Sequence, residues 1–176
     1  YCAQNNNNVE IIENSETVEY LYKLAIIDLD NKKYDEAQAK FEEIEVKFPL
    51  SNEAIQSQIM IAFIDYTKMN YDEAIFKFNR IINRYPSYKN IDYTYYMRAL
   101  CYFEQIGNES LDGNNNLQAL ENFNQIINRF PMSKYSRDSE QKIILIKENI
   151  AAKHMSIASF YLNEKKYLAA MKRYQK

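Results

Sequence analysis

Few residues in this chain have the types and spacing that chemistry requires. The single histidine, His154, lies in the stretch AAKHMSIAS with no cysteine or second histidine beside it, which favours a packing or surface role over metal ligation. The carboxylates Glu42, Glu43 and Glu45 have the spacing of a solvated helix face. The sequence contains no glycine-rich phosphate loop and no Gly-x-Ser-x-Gly motif. We therefore expect no enzyme activity, no catalytic residue, no metal and no cofactor.

The two cysteines differ in their surroundings. Cys101, in MRALCYFEQ, has apolar neighbours on a predicted helix, and we interpret it as a small buried hydrophobic residue. Cys2 is nearly terminal and precedes the polar stretch AQNNNN. Such a cysteine is typical of the first residue of a mature bacterial lipoprotein, although Tyr1 is not the small residue that normally precedes it, and a free thiol in a flexible tail is the alternative. We predict that Cys2 is lipidated and that residues 1–15 form a flexible tether.

Composition excludes several classes of protein, and the charge distribution suggests kinds of partner. Two glycines and three prolines are too few for an all-β protein, and no 18-residue apolar run could span a membrane. Charge is unevenly distributed, because residues 1–60 carry 12 acidic and 5 basic side chains, whereas residues 134–176 carry 4 and 10. A basic end can bind nucleic acid, anionic lipid or an acidic protein, and a solvated lysine-rich helix surface is the simpler alternative.

A repeated pattern predicts the fold. The tetrapeptide Tyr-Asp-Glu-Ala occurs at 34–37 and again at 71–74. Each repeat has an alanine, an aromatic residue four positions later and, in the first three repeats, an aromatic-proline pair eleven positions later: Ala37, Phe41 and Phe48-Pro49; Ala74, Phe78 and Tyr85-Pro86; Ala119, Phe123 and Phe130-Pro131; Ala170 and Tyr174. Small residues allow two helices to approach, and proline ends the second helix. The pattern is typical of an all-α tetratricopeptide-repeat superhelix of antiparallel helix pairs.

The repeat boundaries follow from the same pattern. We predict units at about 16–49, 50–86, 87–131 and 132–176, the last of which ends within its second helix. Asn70 with Glu73 is expected to form a reciprocal N-cap. The third unit has a polar surface loop at Gly107–Asn116, and the added residues within Ser136–His154 are expected to lengthen a helix.

One segment resembles a known family. The stretch NIDYTYYMRALCYFE (Asn90–Glu104) is similar to the segment that opens the third repeat of the BamD family, the lipoproteins of the outer-membrane β-barrel assembly machine, and Phe123–Arg173 agrees as well. The resemblance extends from about Val18 onward. Its most specific residues are Asn90, Asp92, Tyr93, Tyr96 and Arg98. The chain departs from the family in its shorter third-unit loop, in Ala99 where the family has glycine, and in lacking the second half of unit 4 and all of unit 5.

The resemblance implies a non-enzymatic periplasmic scaffold, lipid-anchored through Cys2 at the periplasmic face of the bacterial outer membrane. Its partners would be the POTRA domains of BamA, other lipoproteins of the machine and unfolded outer-membrane proteins, and not nucleic acid. Arg173 matches an arginine that the family places against the last POTRA domain. Phe48 and Pro49 match a corner near which precursors dock, while simple helix termination is an equal alternative for that pair.

Three other classes compete with this interpretation. Another periplasmic tetratricopeptide adaptor of the cell envelope, such as one that coordinates cell-wall synthesis with constriction, would share the aromatic-proline ends of the repeats. A cytosolic co-chaperone would need a Lys/Asn clamp for a terminal carboxylate, and no comparable set stands out in the sequence. An enzyme is disfavoured by the shortage of candidate residues.

Overall fold

The computed structural model describes residues 17–106 and 114–175, which contain eight helices and no strand. The helices are α1 (Val18–Asp30), α2 (Tyr34–Lys47), α3 (Asn52–Thr67), α4 (Tyr71–Arg84), α5 (Ile91–Glu104), α6 (Asn114–Arg129), α7 (Lys134–Asn163) and α8 (Tyr167–Tyr174). The chain divides after Tyr88 into two compact units. Helices pack in consecutive pairs within each unit, so the predicted all-α, tetratricopeptide-like fold is confirmed.

The N-terminal unit contains α1 to α4, each packed on the next, and α1 also contacts α3. The alanines and aromatic residues of the repeated pattern form its core, because Ala25, Ala37 and Phe41 are fully buried. Phe41 fills the space that the small alanines leave between helices, and its ring lies 5.6 Å from that of Tyr22. Sequence periodicity therefore translates directly into the packed face.

The C-terminal unit contains α5 to α8, and α5 also contacts α7. Ala99, Ala119, Phe123 and Ile126 are fully buried and repeat the core positions of the N-terminal unit. Helix α7 has 30 residues, which confirms the prediction of a lengthened helix. Its N-terminal end is capped by the Ser133 hydroxyl, which accepts a hydrogen bond from the Tyr135 amide at 3.2 Å. The α7 N-terminus thus has a defined starting residue.

The same backbone conformation closes the turn inside three of the helix pairs. Lys32, Met69 and Lys165 have positive φ angles of 60°, 63° and 55°. At Met69 the turn closes with two bonds, from Met69 N to Tyr66 O at 3.0 Å and from Asn70 N to Asp65 O at 2.9 Å. The same pair of bonds recurs around Lys32 and Lys165. This arrangement is a Schellman motif with a non-glycine residue at the left-handed position, which costs backbone strain.

Two local predictions are wrong. Asn70 makes no side-chain cap, because its ψ angle of 63° belongs to the turn just described, whereas the capping residues Ser51 and Ser133 have ψ angles of 157° and 144°. Glu73 Oε1 instead lies 3.7 Å from Lys77 Nζ. Helix α6 begins at Asn114, so the loop predicted to extend to Asn116 ends earlier.

The predicted tether, with Cys2, and residues 107–113 lie outside the described residues. Across the part of the chain that is described, no helix combines the length and the apolar character that a membrane crossing needs.

Candidate functional site

The first predicted site is the corner between α2 and α3. Phe48 ends α2 and is half-buried, its amide donating to the Ile44 carbonyl at 2.9 Å, and Pro49 is exposed. The Ser51 amide then donates to the Phe48 carbonyl at 3.0 Å, and the Ser51 hydroxyl caps α3. Phe48 therefore has a structural role at this corner. The part that Phe48 and Pro49 play in binding stays a prediction.

The equivalent corners share their backbone bond and differ in the residue after the proline. Tyr85 and Phe130 make the same backbone bond to the isoleucine four residues earlier, at 2.8 Å in both cases. The residue after proline differs, because Leu50 is 100% exposed at the first corner and Met132 is 96% exposed at the third, whereas the second has Ser87. Val46 is also exposed next to the first corner. Sequence reasoning missed Leu50, and its position directly after the proline was the available signal.

The family motif on α5 holds the N-terminal end of α7. Asp92 Oδ2 accepts a hydrogen bond from the Ser133 hydroxyl at 2.6 Å, so the residue that caps α7 is itself anchored. The Tyr96 hydroxyl donates to the Asp138 carboxylate, and the Tyr96 ring stacks on Tyr135 with centroids 4.9 Å apart. The Tyr93 ring lies 5.6 Å from the same Tyr135 ring. These residues set the direction in which α7 leaves the core.

Arg98 connects α5 to α6 instead. Its Nη2 donates to Gln125 Oε1 at 2.7 Å, and its guanidinium lies 5.1 Å from the centre of the Tyr95 ring. Burial lowers the pKa of Arg98, with Tyr95 acting in the opposite direction. Arg129 donates to the Tyr95 hydroxyl at 2.7 Å. Asn90 is exposed and its side chain does not cap α5. The motif is thus mainly a structural connection among α5, α6 and α7.

A repeated ion pair crosses the first two helix pairs. Lys40, three residues after Ala37, pairs with Asp28, three residues after Ala25. Lys77 and Asp65 occupy the same positions relative to their alanines, and Lys77 Nζ lies 2.6 Å from Asp65 Oδ2. The cation of the second helix is therefore neutralised by an aspartate of the first helix.

The last helix pair has a cation at the equivalent position but no aspartate opposite it. Arg173 lies three residues after Ala170, the position of Lys40 and Lys77, but Tyr161 stands where the aspartate would be. Among the described residues, no carboxylate forms an ion pair with Arg173, and its Nη1 instead lies 3.3 Å from His154 Nδ1 on α7. Arg173 is half-exposed. Its charge is thus positioned but not neutralised within the described residues.

Arg173 lies at a groove between α7 and α8. The groove has a volume of about 410 Å³. Seven of the described residues line it, and none of these is acidic: Lys147, Ile150, Ala151, His154, Met155, Arg173 and Tyr174. Tyr174 occupies the position of the fully buried Phe41, Phe78 and Phe123 but is 53% exposed. The groove therefore offers cationic groups beside apolar and aromatic surface, which suits an acidic protein segment with an apolar neighbour.

The structure separates Arg173 from the family motif. The motif contacts Ser133, which caps α7, and Tyr135 and Asp138 within α7. Arg173 contacts α7 at His154, which lies sixteen residues, or about 24 Å, beyond Asp138 along the helix. His154 was not selected by the sequence analysis as a functional residue. Its position on α7 relative to Arg173 depends on how the two helices pack, which the sequence pattern alone did not give.

Cys101 is fully buried, as predicted, and burial raises the pKa of its thiol to about 12. A thiol that stays protonated is a poor nucleophile. In the described ranges, no group of three or more His, Cys, Asp or Glu side chains could hold a metal ion.

Comparison with known proteins identifies the family. The family model YfiO, described as outer membrane lipoprotein, matches residues 14–176. The chain is 33% identical over 155 residues to the outer membrane protein assembly factor BamD of Rickettsia prowazekii, covering 88% of this chain and 62% of that protein. It is 32% identical over 174 residues to BamD of Caulobacter vibrioides (99% and 57%) and 30% identical over 170 residues to BamD of Neisseria meningitidis (91% and 64%).

The chain spans about three-fifths of the length of these curated relatives. The family model, by contrast, extends over both structural units and includes the helices that carry Asp92 and Arg173. The resemblance inferred from Asn90–Arg98 is confirmed by these matches. The chain belongs to the YfiO, or BamD, family of outer membrane lipoproteins.

Proposed function

We propose that this protein is a non-enzymatic scaffold in the assembly of outer-membrane proteins, located at the periplasmic face of the outer membrane. Three relatives bear the name outer membrane protein assembly factor, and the family is described as outer membrane lipoprotein. Consecutive helix pairs present side chains on a rigid surface, which suits a binding role. In this proposal, an acylated Cys2 anchors the protein, since two acyl chains hold a protein stably on a membrane.

The observation that carries the proposal is the charge of Arg173. The half-exposed guanidinium of Arg173 occupies the position at which an aspartate neutralises the cation in the first two helix pairs, and it is available for a carboxylate from outside. Its planar fork suits bidentate binding of such a group. We assign this role to an acidic residue on a POTRA domain of BamA, alongside contacts with other lipoproteins of the assembly machine.

The corner at Phe48 and Pro49 supports a second contact in the same function. Phe48 is half-buried, and Val46 and Leu50, which lie two residues before and after it in the chain, have exposed apolar side chains. Unfolded outer-membrane proteins expose apolar side chains that could bind such a surface. We propose that the corner receives these segments, with Leu50 as its most accessible side chain.

A binding titration of full-length protein with a purified BamA POTRA domain tests the role of Arg173. Arg173→Glu should weaken binding by at least about thirtyfold, since truncating one partner of a buried charge pair costs about 2–5 kcal/mol. Reversing the charge of the partner's carboxylate should restore binding.

Lys172→Glu provides the matched control, because it makes the same charge change on an exposed neighbour in α8. It should reduce affinity only slightly and only at low salt. Equal losses for the two variants, or full affinity of Arg173→Glu at low salt, would rule out a specific contact at Arg173.

A further inference from the structure

We propose that His154 is a positioning residue for Arg173, which orients the guanidinium toward a partner without neutralising its charge. This inference rests on the proposed function and deepens it. The two side chains belong to different helices, α7 and α8, and their nitrogens Nδ1 and Nη1 lie 3.3 Å apart at the groove.

The chemistry of the contact determines which ring nitrogen of His154 carries the proton. A guanidinium has five N–H donors and no acceptor, so Arg173 must be the donor. The Nδ1 atom must then accept, which requires a neutral imidazole with its proton on Nε2. Lys147 also lines the groove, and none of the described residues that line it is acidic, so the groove keeps its positive charge.

The first two helix pairs show why an uncharged hydrogen-bond acceptor matters. Lys40 and Lys77 are held by Asp28 and Asp65, whose carboxylates cancel their charge and would compete with a carboxylate from outside. An imidazole acceptor restricts the arginine side chain in a comparable way but leaves its charge intact. Because less side-chain freedom is then lost on binding, a partner carboxylate gains affinity from preorganisation.

Three substitutions at position 154 separate the parts of this inference in the POTRA titration. His154→Asn keeps an acceptor in place of Nδ1 and should bind within about twofold of wild type. His154→Leu removes the acceptor and should weaken binding severalfold, up to about tenfold, because the Arg173 side chain must then be immobilised when the partner binds. His154→Asp keeps the geometry but neutralises Arg173, and should bind at least as weakly as the leucine variant.

A double-mutant cycle distinguishes positioning from a general effect on packing. If His154 acts through Arg173, then His154→Leu should have no further effect on affinity in an Arg173→Ala background. Circular dichroism of each variant reports whether the helix content of the protein is kept. In the wild-type protein, ¹⁵N spectra of this single histidine should show Nδ1 unprotonated and the proton on Nε2.

The outcomes separate this inference from the proposed function. If Arg173→Ala weakens binding while His154→Leu does not, the positioning role is overturned and the proposed function stands. If His154→Asp binds as tightly as His154→Asn, charge at this position is irrelevant and the argument for an uncharged hydrogen-bond acceptor fails. If none of the substitutions, including Arg173→Ala, changes affinity, the proposed contact itself is wrong.

Discussion

Removal of the aspartates that hold Lys40 and Lys77 tests the comparison among helix pairs. Asp65 and Lys77 side chains are 12% and 19% exposed, and Asp28 and Lys40 side chains are 16% and 31% exposed. Breaking a fully buried pair costs about 3–5 kcal/mol, whereas a solvent-exposed pair contributes about 0–1 kcal/mol. Both pairs lie between these limits.

The structure allows the two costs to be ranked. Asparagine keeps the volume and one acceptor of aspartate, and Glu73 remains 3.7 Å from Lys77, so the loss is smaller than for a fully buried pair. We expect Asp65→Asn to lower the free energy of unfolding by about 2 kcal/mol and Asp28→Asn by about 1 kcal/mol. Urea unfolding with linear extrapolation measures both values.

The exposed pair of Asp35 with Lys68 provides the control, because the Asp35 side chain is 90% exposed. Asp35→Asn should change stability by less than about 0.5 kcal/mol. Lys77→Met combined with Asp65→Asn completes a cycle whose coupling term isolates the ion pair. Equal small losses of stability at Asp28, Asp35 and Asp65 would refute the reasoning. The partly buried ion pairs of Lys40 and Lys77 would then contribute no more to stability than the exposed pair of Asp35 with Lys68.

Three further predictions concern the turn, the core and the corner. Met69→Gly should stabilise the protein by roughly 0.5–1 kcal/mol in urea unfolding, because glycine relieves a positive φ at an exposed residue. Burial raises the pKa of Cys101 to about 12, so the unfolded chain loses this proton first. The thiol should therefore make stability fall as the pH rises from about 9 to about 12, and Cys101→Ala should make that fall shallower. Leu50→Ser should weaken binding of an outer-membrane-protein C-terminal peptide severalfold, measured by fluorescence anisotropy, because the peptide would lose an exposed apolar contact.

Each of these predictions has its own contrary outcome. Destabilisation by Met69→Gly would show that the left-handed turn carries no strain. An unchanged alkaline slope in Cys101→Ala would show that the buried thiol is not responsible for it. Met132→Ser changes the equivalent exposed residue of the third corner, and an equal loss of peptide affinity there would show that the first corner has no special role.

Sequence alone predicted the packed positions well because the small alanine and the aromatic four residues later can be buried only between two helices. Ala37 with Phe41 and Ala74 with Phe78 lie in the core as the repeat requires. The family was also predictable, since the motif Asn90–Arg98 is dense in specific polar residues. Its physical role, holding α7 through Ser133, depends on contacts 41 residues apart in the chain.

Other features depend on geometry that a residue pattern does not carry. Asn70 has the right type and spacing for a cap, but the preceding left-handed turn sets its ψ angle and prevents capping. The contact of His154 with Arg173 depends on the packing of α7 on α8. The loss of the internal counter-ion could have been found from the sequence, because Tyr161 replaces the aspartate at a repeated position.

The most direct measurement of the central claim returns the missing aspartate to the last helix pair. Tyr161→Asp should give Arg173 an internal counter-ion, as Asp28 and Asp65 do for their lysines. In a titration with the BamA POTRA domain, we predict that affinity falls roughly tenfold for Tyr161→Asp and stays within about twofold of wild type for the uncharged control Tyr161→Asn. Unchanged affinity of Tyr161→Asp, or an equal loss in Tyr161→Asn, would contradict the claim that Arg173 binds a carboxylate of the partner.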